Sequence, residues 1–177
     1  SPGANDNASG TAVGLELARC FAEEPSAHGV AVRFIFFGGE ERLVKGTDLR
    51  HFGSRHYVRH LTGWERERAI GAIVVDMVGG GSRLYARNMR VGPMDLCNRL
   101  IAYAQGAGAH LPYMSSGAYS DHEPFEAAGF PAVWLQCKDD PWYHTPEDSF
   151  GKIDPAHIGN AGRLLLGFIR SSLVRGD

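Results

Sequence analysis

The sequence predicts an α/β protein with a mostly parallel, mixed sheet and helices on both faces. Short apolar runs rich in Val, Ile and Phe, as at 30–37 and 69–79, are typical of strands covered on both sides. Between them lie longer segments whose apolar residues recur every three or four positions, as in amphipathic helices. Strands that alternate with helices favour a parallel sheet, so the fold class follows.

Four elements are predicted in the first half of the chain. A helix over 8–22 follows from the helical spacing of its apolar residues, which are Ala8, Ala12, Val13, Leu17, Cys20 and Phe21. The run "VAVRFIFF" (30–37) predicts a buried strand, and a helical pattern covers 47–61. The run "AIGAIVVDMVG" (69–79) predicts a second buried strand, which carries Asp76 near its end.

The second half continues the alternation. "RLYAR" (83–87) predicts a third strand, and a helix over 93–106 begins at Pro93 and stops near Gly106. The Gly- and Ser-rich stretch 106–120 is predicted as a loop. A short helix ("DHEPFEAAG"), a strand over 131–137 and a last helix over 154–174 complete the pattern.

Composition limits the classes of function. At 177 residues the chain is expected to form a single domain with a sizeable core. Its formal net charge of -2 and 21% charged residues do not indicate binding to nucleic acid or to a membrane surface. No apolar stretch reaches the roughly 20 residues that span a bilayer. The three cysteines are far apart and indicate neither a disulfide framework nor a zinc knuckle.

Acidic and imidazole side chains follow the predicted strands. Glu40 and Glu41 come after the first strand, Asp76 ends the second, His144 follows the last, and Asp6 precedes the first helix. In open α/β sheets, ligands bind beyond the carboxyl ends of the strands. A buried carboxylate is costly unless it is paired or binds a metal. Carboxylates and imidazole suit zinc, manganese or cobalt, so the pattern predicts a metal site.

Taken singly, these residues also have simpler interpretations. Asp6 stands in a Gly/Asn/Ser context that is typical of turns and helix caps. Glu41 could pair with Arg33 or Arg42, and His144 alone would be an ordinary loop histidine. Asp76, the acid in the Val/Ile-rich strand, is harder to explain, because an unpaired acid is costly there. Their shared placement at strand ends favours the metal site.

The sequence contains five motifs, which are "GANDNASGTA", "FFGGEERLVKG", "VVDMVG", "SDHEPFEAAGFPA" and "YHTPEDS". Their order and spacing match those of one known family. The chain resembles the zinc-dependent aminopeptidase family, which includes secreted bacterial leucyl-type aminopeptidases and is related to glutaminyl cyclases and carboxypeptidases. The resemblance runs from Ser1 almost to the C-terminus. It implies a zinc-exopeptidase-like three-layer sandwich.

The resemblance also implies roles for the acidic residues and His144. Asp6 would bridge two zinc ions, Glu41 and His144 would complete the ligands of one ion, and Asp76 would belong to the other. Glu40, beside a ligand but not one itself, would be the general base that takes a proton from a zinc-bound water.

Three further residues match positions near the family's site. Tyr143 resembles a phenol that donates to the developing oxyanion, although it could instead pack with Trp142 on the loop. Asp121 would support the ligands and the base, or cap the helix that follows it. His122 is expected to lie behind the ligands, in a supporting or a purely structural role. Five other histidines match no metal motif and are expected to face solvent or, for the last one, to lie in the final helix; they are histidines 51, 56, 60, 110 and 157.

The family pattern is incomplete at the start of the chain. The family's other zinc takes a histidine from an H-x-D motif upstream of the bridging Asp, but only five residues precede Asp6. We therefore expect residues 1–177 to be the C-terminal portion of one metallopeptidase catalytic domain, with its first strands and one His ligand missing. The complete enzyme would hold two zinc ions, whereas residues 1–177 would hold a single ion or none. A truncated sheet edge favours self-association.

The function implied is a zinc aminopeptidase that hydrolyses the N-terminal peptide bond of peptides or proteins. One alternative is a glutaminyl cyclase with one zinc, but that class typically has Trp where this chain has Tyr143. Another is a non-catalytic, receptor-like binding module, which retention of the whole acidic set argues against. The resemblance to exported bacterial members implies a secreted or periplasmic protein.

Overall fold

The computed structural model describes residues 1–23 and 30–175. The helices are α1 (Gly10–Ala22), α2 (Phe52–His60), α3 (Gly63–Arg68), α4 (Asp95–Gly106), α5 (His122–Ala127) and α6 (Pro155–Arg175). The strands are β1 (Ala72–Val75), β2 (Arg83–Asn88), β3 (Tyr113–Ser115) and β4 (Ala132–Lys138). Among the helices of the described ranges, none combines the length and apolar character needed to cross a bilayer.

The strands of the described ranges form one mixed sheet in the order β1-β4-β2-β3. β1 runs parallel to β4, with Ala72 opposite Ala132 and Val75 opposite Leu135. β2 runs antiparallel to β4, and β3 runs parallel to β2. β1 and β4 therefore end at the same edge of the sheet.

Helices cover both faces of this sheet, as predicted. On one face, α1, α4 and α6 pack over a core that includes Val13, Leu17, Leu100, Leu165, Val133 and Leu135. On the other face, α2 and α5 contribute to a smaller core of Val58, Phe125, Phe130 and Ala132. β4 lies between these cores and is buried along almost its whole length, which explains its nearly continuous apolar sequence.

The strand predicted over 30–37 is wrong for the described structure. These residues have no strand assignment, because no neighbouring strand of the described residues pairs with their backbone. A strand is defined by hydrogen bonds to a partner, which apolar composition alone does not report. Residues 30–37 and β1 instead both line a cavity of about 1070 Å³.

Other boundaries also differ from the predictions. The helix predicted over 47–61 begins only at Phe52, and a separate short helix, α3, follows behind a capping box formed by Thr62 and Glu65. The strand predicted over 69–79 is limited to Ala72–Val75. The predicted loop 106–120 contains β3, which is three residues long and pairs with β2. The other predicted helices and strands agree with the structure to within two residues at each end.

Candidate metal centre

The segment Ala4–Ser9, which precedes α1, is fixed against the end of β1. The side-chain oxygen of Asn7 accepts hydrogen bonds from the backbone amides of Gly10 (3.0 Å) and Met77 (3.2 Å), and its amide donates to the carbonyl of Val75 (3.0 Å). A Cβ at Gly10 would lie 2.1 Å from that same carbonyl oxygen, so only glycine fits this approach. These contacts bring Asp6 to the carboxyl end of β1.

Asp148 holds the same segment from the opposite side. Its buried carboxylate accepts hydrogen bonds from the backbone amides of Asn5 (2.7 Å) and Asp6 (3.1 Å). The side-chain oxygen of Asn5 in turn accepts from the amide of Gly79 (2.8 Å). This role of Asp148 was not predicted from the sequence, because a loop carboxylate that accepts from amides remote in sequence leaves no periodic pattern.

Asp6, Glu41 and His144 converge on one point. Each offers one ligand atom, and these atoms lie within 4.8 Å of one another. Nε2 of His144 is 3.2 Å from Oδ2 of Asp6 and 3.1 Å from Oε1 of Glu41. Arg33, an alternative partner for Glu41, pairs instead with Glu65 at 2.6 Å. Burial, assisted by the charge of Glu41, raises the pKa of Asp6 to about 6, so a cation would stabilise this cluster.

Asp76 lies beside this cluster rather than in it. It directly follows β1 and is buried, and its Oδ2 accepts a hydrogen bond from the hydroxyl of Ser120 (2.7 Å). Its Oδ1 is buried without a hydrogen-bond partner among the described residues. Burial raises the pKa of Asp76, and the charges of Asp6 and Glu40 add to that effect. An unpartnered carboxylate oxygen beside Asp6 fits the donor set of a second cation.

Glu40 is adjacent to Glu41 but does not join the three converging ligand atoms. It follows Gly39, whose φ of 68° favours glycine and turns the chain sharply. The strict alternation of a strand is lost there, so neighbouring side chains can both face the site. The Glu40 side chain is 28% exposed, and its Oε1 lies 3.4 Å from Nε2 of His51. Its negative charge nonetheless acts on the cluster, because it contributes to the raised pKa of Asp6.

The Tyr143 ring stacks on His144, with ring centroids 3.8 Å apart. Trp142, the alternative packing partner of Tyr143, lies instead beneath the ammonium of Lys152. Burial raises the pKa of Tyr143 to about 12, and the nearby carboxylates contribute to this rise. The phenol therefore keeps its proton at neutral pH and can donate a hydrogen bond.

Asp121 and His122 lie at the start of α5. Asp121 occupies the N-cap position, but its carboxylate makes no capping bond and instead accepts a short hydrogen bond from the hydroxyl of Ser54. The buried ring of His122 stacks on Trp134, and burial lowers the pKa of His122 to about 4. Trp134 Nε1 donates to the backbone carbonyl of Asp76 (3.3 Å), which links this stack to the acidic cluster.

One histidine differs from the expectation. His51 was expected to face solvent, but its side chain is 1% exposed and lies between Glu40 and Glu123. His56, His60 and His110 are exposed and His157 lies in α6, as expected. His51 sits in a loop with a φ of 55°, just before α2, so no helical or strand periodicity signals its burial.

Comparisons with known proteins find aminopeptidases that are similar to this chain. Aminopeptidase YwaD of Bacillus subtilis (strain 168) is 37% identical over 175 residues, which cover 93% of this chain and 36% of the relative. Among solved structures, BSAP, a zinc aminopeptidase from Bacillus subtilis, matches with a TM-score of 0.84 at 35% identity, over 97% of this chain and 43% of that one. The chain thus spans less than half the length of these aminopeptidases.

A glutaminyl cyclase from Porphyromonas gingivalis shares the fold, with a TM-score of 0.83 at 23% identity over 96% of this chain and 63% of that one. The sequence model of peptidase family M28 matches residues 1–169, which is nearly the whole chain. The acidic and imidazole groups at the sheet edge lie within that match. From this coverage, and from the identity to YwaD, the chain belongs to peptidase family M28.

Proposed function

We propose that the protein is a zinc aminopeptidase that hydrolyses the N-terminal peptide bond of peptides or proteins. The observation that carries the proposal is the convergence of the Asp6, Glu41 and His144 ligand atoms within 4.8 Å, with Glu40 alongside. YwaD is named an aminopeptidase and BSAP a zinc aminopeptidase, and both are similar to this chain over nearly all its residues.

Asp6, Glu41 and His144 would hold one zinc ion, and Asp6 and Asp76 would contribute to a second. Two carboxylates and one imidazole are a normal donor set for catalytic zinc, which keeps a position open for water or substrate. The chemistry that zinc supplies when bound is a lowered pKa of water and polarisation of the scissile carbonyl.

Glu40 is the general base in this proposal. Its half-buried carboxylate stands next to the ligand Glu41 and accepts the proton of the attacking water, which it later gives to the leaving amine. Tyr143, which stays protonated at neutral pH, donates a hydrogen bond to the carbonyl oxygen as negative charge develops there. Such a donor is worth about 2.7–4 kcal/mol in a preorganised site.

The charge of the site favours a substrate with a free amino terminus. Burial and the negative charges of neighbouring carboxylates, Glu40 and Glu41 among them, raise the pKa values of Asp6, Asp76 and Asp121 at this edge of the sheet. Even with bound cations, a carboxylate that is not a ligand can pair with the ammonium group of a peptide N-terminus. A substrate carboxylate would be repelled there, so cleavage from the amino end is preferred over cleavage from the carboxyl end.

A second candidate function is glutaminyl cyclisation, which the shared fold of the glutaminyl cyclase structures favours. Tyr143 stands where that class typically carries Trp, so we rank hydrolysis first. Export from the cell, which is expected from the resemblance to secreted members, belongs to the proposal as well.

The test uses the full gene product with bound metal. Leu-p-nitroanilide reports aminopeptidase activity, and a peptide with N-terminal Gln reports either hydrolysis or cyclisation by mass spectrometry. We expect release of p-nitroaniline that a chelator abolishes and zinc restores, and a rate lower by at least about 100-fold in Glu40→Gln. Pyroglutamate formation without hydrolysis would favour the second candidate. If the metal-loaded protein turns over neither substrate, the non-catalytic binding module becomes the favoured function.

A further inference from the structure

We infer that His51, held by Glu123, is a positioning residue for Glu40 that fixes one oxygen of the catalytic carboxylate and leaves the other for the attacking water. This inference rests on the proposed function, since it assigns a partner to the proposed general base. Neither His51 nor Glu123 was predicted to be functional from the sequence.

His51 contacts a carboxylate at each ring nitrogen. Nε2 lies 3.4 Å from Oε1 of Glu40, and Nδ1 lies 3.1 Å from Oε2 of Glu123. The first distance is that of an ion pair and the second that of a hydrogen bond; an ionised carboxylate at each ring nitrogen favours the ring that is protonated at both. His51 therefore acts as an imidazolium. Burial opposes that charge, but the hydrogen bonds to Glu40 and Glu123 outweigh burial and raise the pKa of His51.

Glu123 is itself held by a second cation, at the same oxygen that His51 contacts. Its Oε2 accepts from Nη2 of Arg55 (3.1 Å), and Arg55 also pairs with Asp48 (2.8 Å). Charges of opposite sign thus alternate from Glu40 at the site, through buried His51, partly buried Glu123 and Arg55, to exposed Asp48. The Arg55–Asp48 end is solvent-exposed and contributes little, whereas a charge-assisted hydrogen bond in a buried site is strong and directional.

The backbones that carry Glu40 and His51 are also joined. The amide of His51 donates to the carbonyl of Glu40 (2.9 Å), that of Phe52 to Gly39 (2.9 Å), and that of Gly53 to Gly38 (3.0 Å). After the loop that follows Glu41, these bonds hold the chain beside the glycine turn at residues 38–39. Because the two backbones cannot drift apart, the imidazolium contact restricts the Glu40 side chain to few rotamers. A preorganised base loses less freedom when the transition state forms.

The experiment compares variants in the metal-loaded full gene product. His51→Leu should lower kcat by about 10- to 100-fold, while KM and bound zinc stay within about twofold, because only orientation of the base is lost. His51→Gln, which keeps one donor, should recover part of the rate and guards against misfolding in the leucine variant. His56→Leu, at an exposed histidine in α2, is the matched control and should leave kcat unchanged.

Glu123→Gln tests whether Glu123 acts through His51. It should lower kcat in the wild-type background and have no further effect in His51→Leu. Additive losses in the double variant, or a loss of zinc in His51→Leu, would overturn the positioning role, because they indicate independent or purely structural effects.

A readout independent of turnover separates this inference from the proposed function. NMR of ¹⁵N-histidine-labelled protein at pH 7 should show both nitrogens of His51 protonated, and Glu40→Gln should lower the pKa of His51. A neutral His51 overturns the inference even if the enzyme is active. If His51 is an imidazolium whose pKa responds to Glu40→Gln but the protein has no peptidase activity, the proposed function is refuted. The catalytic role of the His51 contact is then refuted with it.

Discussion

Nε2 of His144 lies 3.2 Å from Oδ2 of Asp6, although the two residues stand near opposite ends of the sequence. Asp148 explains the contact, because it follows His144 in the same motif and binds the backbone amides of Asn5 and Asp6. The motif "YHTPEDS" therefore supplies a metal-ligand candidate and the anchor for another. The site depends on this loop-to-loop contact as much as on the sheet.

The first prediction concerns this anchor. Asp148→Asn keeps the shape of the side chain but replaces one carboxylate oxygen with an NH2 group. That group only donates, so it cannot accept the hydrogen bond from one of the two backbone amides that Asp148 holds. Asp6 should then be poorly placed, and zinc affinity should fall by about 10- to 100-fold, as is typical when a ligand loses its supporting partner. Zinc titration with a competing chelator measures the change. Asp139→Asn, at an exposed acid on the neighbouring loop, is the control, and equal losses in both variants would contradict the prediction.

The second prediction concerns pH and His122. Burial lowers its pKa from 6.5 to about 4, so between these values the unfolded chain binds a proton that the folded chain does not. The free energy of unfolding should therefore decrease as pH falls from 6.5 toward 4, by up to about 3 kcal/mol from this residue. Urea unfolding at several pH values measures the slope. His122→Phe, which preserves stacking on Trp134, should flatten that slope; an unchanged slope would show that other groups cause it.

The third prediction concerns the uncovered edge of the sheet. Among the described strands, β1 pairs with β4 alone, and the cavity beside it is lined by apolar side chains that include the exposed Phe36 and Ile70. Residues 1–177 expressed alone should self-associate through this edge, because apolar surface and unpaired backbone groups favour pairing with another chain. Light scattering after size exclusion gives the mass. Phe36→Lys should shift the population toward monomer, whereas a monodisperse wild-type monomer would contradict the prediction.

The elements of the fold that were predicted correctly are those that a local pattern determines. β4 lies between two cores, so its sequence is nearly continuously apolar, and α4 begins and ends near Pro93 and Gly106. The run 30–37 has an equally apolar sequence but no paired neighbour among the described residues. A strand depends on its partner, and apolar composition alone established neither the pairing nor the burial of this run, because none of residues 30–37 is buried in the described structure.

In the site, too, some residues can be recognised from the sequence and others depend on partners remote in sequence. The candidate ligands were predicted from their placement around the predicted strands and from motifs that resemble the family, and only Asp76 stands out by itself as an acid in an apolar strand. His51 and Asp148 could not be predicted, because each acts through hydrogen bonds to residues remote in sequence, and a loop histidine or aspartate carries no sign of burial. Glu123 resembles an ordinary residue in the first turn of α5 until His51 and Arg55 are seen beside it.

The last prediction separates the adjacent acids Glu40 and Glu41 in the metal-loaded full gene product. Glu40→Gln should bind zinc nearly normally, because Glu40 is not among the converging ligand atoms, but the amide cannot accept a proton from water at neutral pH. General-base catalysis is typically worth 10²–10⁴-fold, so kcat should fall by at least about 100-fold. KM should change far less, unless Glu40 also pairs with the substrate ammonium group.

Glu41→Gln should behave differently, because it replaces a charged ligand next to His144 with a neutral and weaker one. Bound zinc should then fall together with activity, and added zinc should restore some of the rate, which it cannot do for Glu40→Gln. Zinc stoichiometry by mass spectrometry and kcat on Leu-p-nitroanilide, measured on the same preparations, distinguish the two roles. If Glu40→Gln empties the site while Glu41→Gln leaves it occupied, the assignments of base and ligand must be exchanged.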